Sequence, residues 1–364
     1  MTRGPRRRPE TWLAQRGGLV ELLSVPAALF GVLARLRGAL YDRKWLPIRR
    51  VDAPVICIGN LTAGGTGKTP AVAWFTRRLI ARGWKPGILS RGYRKGEGPG
   101  DEAQELAAKL DGVMHVENPD RVAGAAELVD AGVDAIVLDD GFQHRRLDRD
   151  LDIVLVDATR PWGLPGTSDG ADPVRAFLPR GLLRESPSAL RRAHGIVITR
   201  SDAIAWNELT HLEAELSRLA PGVPIARAVH APTELVDRDG SERDLASLRG
   251  LEIDLVTGVG NPAAVEATLT ELGAHVIEHR SFPDHHAFVP GELDGLGQRP
   301  VVTTAKDAAR LLESTALPAD MELVVLHVEL EIVKGAEALD ALLDTLPMSP
   351  AHLARQSLHA GLHG

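Results

Sequence analysis

The residues best placed to do chemistry fall in one glycine-rich run, "GNLTAGGTGKTP", at positions 59–70. Gly64, Gly65 and Gly67 let backbone amides approach phosphate oxygens with no side chain in the way, and a helix starting just after them turns its positive end to the same charge. Lys68 adds a point charge for β- and γ-phosphates, and Thr69 a hydroxyl for magnesium. The expected cradle is Thr62, Ala63, Gly64, Gly65, Thr66, Gly67, Lys68 and Thr69. The strict P-loop pattern puts glycine five residues before Gly67, where this chain has Thr62. A plain glycine turn would explain the glycines and leave Lys68 and Thr69 without a reason.

A second run, "AIVLDDGFQH", is an apolar strand ending in two carboxylates, Asp139 and Asp140. On its own such a pair reads as a turn. Behind a P-loop, a carboxylate at the C-terminal end of a neighbouring strand stands beside the phosphates and can hold magnesium. The two runs together point to a phosphotransferase or an NTPase, with the acceptor still unnamed.

Elements of a definite kind must position these groups. "PVICIG" reads as a buried strand running into the glycine loop, and "GKTPAVAWFTRRLIARG" as an amphipathic helix closed by Gly83. "PGILS", "VMHV", "DAIVLDD", "LDIVLVD", "GIVITR" and "VPIARAVH" read as further strands, with helices over "DEAQELAAKL" and "DRVAGAAELVDAG" between them. Near-continuous apolar strands alternating with helices predict a parallel α/β sheet covered on both faces. The polar stretch 232–249 reads as a linker, after which "EIDLVTGVGNPAAVEATLTELGAHV", "PVVTTAKDAARLL" and "ELVVLHVEL" start a second, smaller α/β series. The loop 160–177 is long and rich in Gly, Pro and Asp, as a surface or active-site loop would be. The expected divisions are an arm at 1–50, a P-loop domain at 51–231, a smaller domain at 232–347 and a loosely held tail at 348–364.

The first 50 residues carry eleven Lys and Arg against three Asp and Glu, a net +8 in a chain of net −7. A basic arm on an otherwise acidic protein with 4% aromatics suggests an anionic surface as partner and argues against nucleic acid. The apolar run from Leu22 to Ala34 falls short of the ~20 residues of a transmembrane span, and no signal-peptide cleavage site follows it. Ser24 is a candidate N-cap for a helix to about Tyr41, with Leu22, Leu29, Leu33, Leu36 and Leu40 on one face. Such a helix lies either in a membrane interface, with Arg35, Arg37, Arg43 and Lys44 near headgroups, or against the protein's own core. The single Cys57 forms no intrachain disulfide and no Cys/His cluster is present for zinc.

The segments "GNLTAGGTGKTP", "SRGY", "GDE", "DRVAGA", "DDGFQHRRLDRDLDIVLVDA", "LPRGLLRE", "SFPDHHAF" and "VTTAKDA" follow one another in an order that resembles the tetraacyldisaccharide 4'-kinase family, over about residues 35–330. The resemblance implies transfer of the ATP γ-phosphate to the glucosamine disaccharide precursor of lipid A. It also implies a P-loop domain with a smaller α/β domain, an active site in the cleft between them, and a membrane-associated N-terminal helix. That places the protein on the cytoplasmic face of the inner membrane, peripheral or monotopic, with no obligate protein partner. The implied cofactors are ATP and Mg2+.

Carried over residue by residue, Asp101 of "GDE" resembles the catalytic carboxylate and His285 of "FPDHH" the histidine that pairs with it from the opposite domain. Lys68 completes the catalytic set. Glu185 joins Thr69, Asp139 and Asp140 near magnesium, and Arg184 stands beside them as a phosphate or headgroup contact. Arg91 of "SRGY" is either a nucleotide or substrate contact or an exposed surface arginine. Lys306 and Asp307 either close the smaller domain near the site or form an ordinary helix N-terminal pair; Gln143 and His144 belong to the signature without an assigned role. "LPRGLLRES" departs from a family pattern nearer "LPAGPLREP" and puts Arg180 near the site.

Overall fold

The computed structural model describes residues 9–15, 17–92, 101–164, 174–283, 286–318 and 320–361. Its elements in chain order are α1 (Pro9–Ala14), α2 (Ser24–Asp42), β1 (Val55–Asn60), α3 (Lys68–Ala81), β2 (Pro86–Ser90), α4 (Asp101–Lys109), β3 (Met114–Glu117), α5 (Arg121–Asp130), β4 (Ala135–Asp139), β5 (Leu151–Asp157) and β6 (Gly195–Thr199). Then come α6 (Trp206–Leu219), β7 (Ile225–Asp237), β8 (Glu242–Arg243), β9 (Glu252–Thr257), α7 (Pro262–Glu271), β10 (His275–Ser281), β11 (Val301–Thr304), α8 (Ala305–Glu313), β12 (Leu323–Lys334), α9 (Ala336–Leu343) and α10 (Pro350–Gly361). Two compact units result. One comprises Met1–Tyr93, Leu110–Val229 and Ile332–Gly364; the other comprises Arg94–Lys109 and His230–Glu331.

The first unit is a parallel sheet in the order β7-β6-β5-β1-β4-β2-β3. Its central strands β1, β4 and β5 are buried along their whole length, which is why they read as unbroken apolar runs rather than alternating ones. Cys57 is one of these core positions, and burial pushes its thiol well above the ordinary range. Helix α3 covers the sheet with Ala71, Val72, Phe75 and Leu79, a spacing that puts them on one helical face. The glycine loop leaves β1 at its C-terminal end, the edge where open α/β sheets bind ligands.

Residues 336–361 form two helices belonging to this unit. On α10, His352 is buried, stacked on Trp84 at 4.0 Å and within 3.1 Å of the buried Asp134 carboxylate. Arg355 pairs with the same carboxylate. The segment expected as a loose tail is therefore a docked helix. Its anchoring is polar and long-range, so weak apolar periodicity did not reveal it.

The arm packs on the same unit. Helix α2 follows a 3-10 turn over Gly18–Leu23, and Ser24 is its first residue, bonding to Glu21 at 3.1 Å rather than capping the helix. Its inner side buries Ala27, Gly31 and Tyr41. Gly31 lies so close to Phe177 that a Cβ there would meet the ring at 2.5 Å. Arg180 closes the other end, bonding the Leu13 and Gln15 carbonyls at 2.5 and 2.9 Å and the Glu21 carboxylate at 2.8 Å. The outer side exposes Leu22, Val25, Leu29, Val32, Leu33 and Leu36. By length and apolarity Gly18–Asp42 could cross a membrane; the run counted only to Ala34 falls short because the helix continues past its arginines.

In the second unit β10, β9, β11 and β12 pair in parallel in that order, and β8 pairs antiparallel with β7. Its core includes Leu235, Ile253, Leu255, Leu269, Val302, Val324 and Leu326. The stretch 232–249, expected as a linker, is the end of β7, a turn, β8 and a 3-10 turn at Leu245–Leu248. Its polar residues cap and pair locally: Asp244 accepts from the Ala246 amide and Arg243 bonds Asp237 at 2.6 Å. Helix α4, expected inside the P-loop domain, belongs to this unit, where Gln104 reaches Glu313 of α8 at 3.3 Å and Lys109 the Val328 carbonyl at 3.2 Å.

Candidate nucleotide site

Asn60, the last residue of β1, is fully buried and organises the loop from beneath. Its amide donates to the Thr66 hydroxyl at 2.9 Å, its side-chain oxygen accepts from Arg184, and its carbonyl accepts from Gln143 at 2.8 Å. Gln143, which the sequence left without a role, thus ties the DDGFQH segment to the strand that bears the loop. Thr62 pairs as an antiparallel bridge with Leu183, while the Ala63 amide bonds the Leu182 carbonyl at 2.7 Å. The backbone is extended there, so the usual first glycine is not required. Gly64 and Gly67 do need their lack of a side chain, with φ of 111° and 84°. Gly67 caps α3, so Lys68 and the buried Thr69 open a 14-residue helix whose positive end faces the loop.

The acidic pair divides its work. Asp139 ends β4 as a buried strand residue aligned with Ile58 of β1. Asp140 turns left-handed, φ 50°, while its amide bonds the Ile58 carbonyl at 2.9 Å. Aspartate tolerates this conformation better than most residues, and it aims the carboxylate along the loop. There Asp140 lies 3.8 Å from Lys68 and takes two bonds from Arg184, at 2.9 and 2.8 Å. Burial would raise its pKa, but Lys68 and Arg184 together outweigh burial and hold the carboxyl far below the ordinary range.

Arg184 is carried by the segment paired with the loop, its own amide bonding the Leu61 carbonyl at 2.8 Å. Glu185, expected near magnesium, grips Arg192 at 2.8 and 3.3 Å, and Arg192 lies over the Phe142 ring. A carboxylate so engaged is a support for the DDGFQH turn. Arg91 is exposed just beyond β2. His144 is half-buried, and burial followed by Arg121 lowers its pKa.

A third support was not anticipated from sequence. Asp157 at the end of β5 and Thr199 at the end of β6 are register partners. The Thr199 hydroxyl donates to the Thr66 carbonyl at 3.0 Å. Arg200 bonds the buried Asp157 at 2.5 Å and the Gly65 carbonyl at 3.4 Å. The signal was present as "VLVD" and "VITRSD", two apolar strands ending in polar residues at the same edge as the P-loop.

The acceptor-side residues belong to the second unit. Asp101 is the first residue of α4, in the second unit, which also spans the FPDHH segment, so the two assigned residues do not come from opposite units. His285 itself lies outside the described residues. Asp307 is wholly buried, accepting from the Gly258 amide at 2.9 Å and pairing with Arg310. It is a structural carboxylate at the N-terminus of α8, with Thr304 as that helix's N-cap. Among the described residues no cluster of three acidic, His or Cys side chains could hold a metal by itself.

Amides, a helix N-terminus, Lys68 and Arg184 thus converge on one loop, with hard oxygen donors beside them. That arrangement binds a phosphate chain and stabilises charge on it. The family model of tetraacyldisaccharide-1-P 4'-kinase matches residues 19–347. A tetraacyldisaccharide 4'-kinase of Anaeromyxobacter dehalogenans strain 2CP-C is 43% identical, covering 91% of this chain and 93% of its own. That of Geobacter sulfurreducens is 37% identical, covering 80% and 84%. The crystal structure of the "apo" form of LpxK from Aquifex aeolicus in complex with ATP superposes with a TM-score of 0.66 at 29% identity, covering 90% of this chain and 98% of that one.

Proposed function

The chain belongs to the tetraacyldisaccharide-1-P 4'-kinase family, and from that premise we propose how its residues divide the work of an ATP-dependent lipid A precursor kinase. The reaction moves the ATP γ-phosphate to the 4'-hydroxyl of a tetraacyl glucosamine disaccharide 1-phosphate. The observation that carries the assignment is the convergence of Lys68 and Arg184 on Asp140 at the mouth of the glycine loop. Lys68 and the α3 N-terminus draw charge from the β- and γ-phosphates as the bridging bond to the leaving ADP breaks. Arg184 stands within reach of the same oxygens. Asp101 takes the proton of the attacking hydroxyl and His285 orients it.

Magnesium fits the donor set. Thr69 offers a hydroxyl and Asp139 and Asp140 offer carboxylates, and an ion that takes one or two protein carboxylates and fills its shell with phosphate and water needs no larger cluster. When bound it neutralises charge on the phosphate oxygens. Glu185 stands behind this set, paired with Arg192 as Asp140 is with Arg184.

The acceptor is a membrane lipid, and the exposed apolar side of α2 suits its surface. One side of the helix is buried on protein by Gly31 and Tyr41, so lipid does not surround it. A helix with one apolar side outward, flanked by Arg35 over the Phe177 ring and Arg37 over the Tyr41 ring, lies in the interface rather than across the bilayer. Because the donor is ATP, that interface is the cytoplasmic face of the inner membrane.

The test is transfer of label from γ-labelled ATP to detergent-dispersed tetraacyl disaccharide 1-phosphate. The unmodified protein yields a labelled bisphosphate lipid, and Lys68→Ala, folded but inactive, does not. Equal labelling by the variant refutes the assignment of Lys68. Asp101→Ala lowers kcat and leaves ATP affinity; a loss of ATP binding alone removes Asp101 from its role.

A further inference from the structure

The segment that brings Arg184 to the phosphate loop is held on its far side by the arm, a grip that no step above uses. Residues 176–183 close on themselves. The Leu183 amide bonds the Ala176 carbonyl at 3.1 Å, the Leu178 amide the Leu183 carbonyl at 3.1 Å, and the Gly181 amide the Phe177 carbonyl at 2.9 Å. A β-carbon at Gly181 would run into the Ala176 carbonyl, so the closure has no slack. One edge of this piece pairs with the loop: the Leu182 carbonyl accepts from Ala63, Leu183 bridges Thr62, and the next residue, Arg184, bonds the Leu61 carbonyl. The other edge presents Phe177 and Arg180 to the arm. Phe177 lies against Gly31, has its ring 6.3 Å from that of Phe30, and carries Arg35 over it at 5.4 Å.

Arg180 is the tighter grip. Its side chain is only 4% exposed, and among the described residues every hydrogen bond of its guanidinium runs to the arm: the Leu13 and Gln15 carbonyls and both oxygens of the Glu21 carboxylate. A buried guanidinium stays in place only while it is paired. When α1 and the 3-10 turn lift away, Arg180 swings to water, and the closed piece loses one of its two supports. Arg184 follows four residues later, and it is Arg184 that bonds Asp140 and Asn60 beside the loop.

We propose that Arg180 is a positioning residue that couples the seating of the arm to the phosphate loop. This rests on the reading of that loop as the kinase's ATP site. With the arm seated, the closed piece holds Arg184 and the 61–63 backbone in register for the triphosphate. With the arm lifted, the loop binds ATP more weakly. Coupling between two sites is reciprocal, so bound ATP holds the arm down by the same factor. An arm whose outer side meets lipid thereby passes its seating to the site that transfers phosphate.

The experiment reads both directions on the full-length protein in detergent: equilibrium ATP binding, and amide hydrogen exchange across residues 18–42 with and without ATP. Arg180→Ala raises the ATP dissociation constant about fivefold or more, the low end of such couplings. Glu21→Gln raises it by a smaller factor, because the two carbonyl bonds remain. In the unaltered protein ATP slows exchange of the arm about fivefold or more, and in Arg180→Ala it does not. A residue that merely anchored the arm would loosen it when replaced and leave ATP binding untouched. ATP affinity within about twofold of the parent in a folded Arg180→Ala, or arm exchange in the unaltered protein that is indifferent to ATP, overturns the proposal; the second measurement decides even where the variant does not fold. Either result leaves lipid labelling by the unaltered protein intact, whereas loss of labelling with ATP binding retained strikes the kinase assignment and leaves the coupling standing.

Discussion

Replacing Arg184 by methionine removes the guanidinium and keeps most of the stem. Two bonds to Asp140 and one to Asn60 disappear together. Both side chains of the ion pair are mostly buried, 22% and 18% exposed, so the loss exceeds that of a surface pair yet falls short of the ~3–5 kcal/mol for breaking a fully buried one. Lys68 remains 3.8 Å from the carboxylate and softens the loss. About 2 kcal/mol is the expected cost, or a fall in melting temperature of about 4–8 °C for a domain of this size. A second signature comes from acid. The folded Asp140 carboxyl titrates below its unfolded value, so its contribution is full above the unfolded pKa near 3.8 and is lost as pH falls toward the folded one. With Arg184 gone the folded value moves up, so the variant's deficit is largest at neutral pH and shrinks below pH 4. The assay is thermal melting of parent and Arg184→Met from pH 7 down to pH 3, with ATP affinity measured at pH 7. A variant that melts within 1 °C of the parent at every pH, with unchanged affinity, refutes the role assigned to this pair.

Asp157→Asn removes the charge that holds Arg200 behind the loop, and ATP dissociation constants should rise about tenfold while Lys68-dependent turnover at saturating ATP changes less; equilibrium binding and kcat measured together decide it. Gly31→Val drives side-chain atoms into Phe177 and costs roughly 1–3 kcal/mol of overpacking, seen as faster proteolysis within residues 24–42 and weaker binding to anionic vesicles. Glu21→Gln breaks the link to Arg180, which with the Gly17 amide and the Ser24 hydroxyl lowers the Glu21 pKa to about 2. That link is intact above pH 4.5 and lost as pH falls toward 2, so early tryptic cleavage within the N-terminal arm is expected in the variant at pH 7, and in the parent only after acid exposure.

How much was legible in advance depended on how far apart the cooperating residues stand. The glycine loop, the start of α3, the buried runs of β1, β4 and β5 and the leucine face of α2 rest on neighbours a few residues away, and local backbone chemistry and periodicity reveal them. The Asp139–Asp140 pair was legible because it ends a strand of that same sheet. The pairing of Glu185 with Arg192 was not legible, because Arg192 ends a 3-10 turn that no periodicity announces. The braces Gln143 to Asn60, Thr199 to Thr66 and Arg200 to Asp157 join segments 43 to 133 residues apart. Only strand order brings them to one edge.

By itself, then, the chain determined a phosphate-binding loop, a covered parallel sheet and a basic arm with one greasy face, since each follows from side-chain type at fixed short spacing. Tertiary structure decided which acids face the loop, that α4 belongs with the second unit, and that residues 350–361 dock as a helix on Asp134 and Trp84. Those outcomes turn on pairings between distant polar groups, whose worth depends on being buried together, and burial is a property of the folded chain.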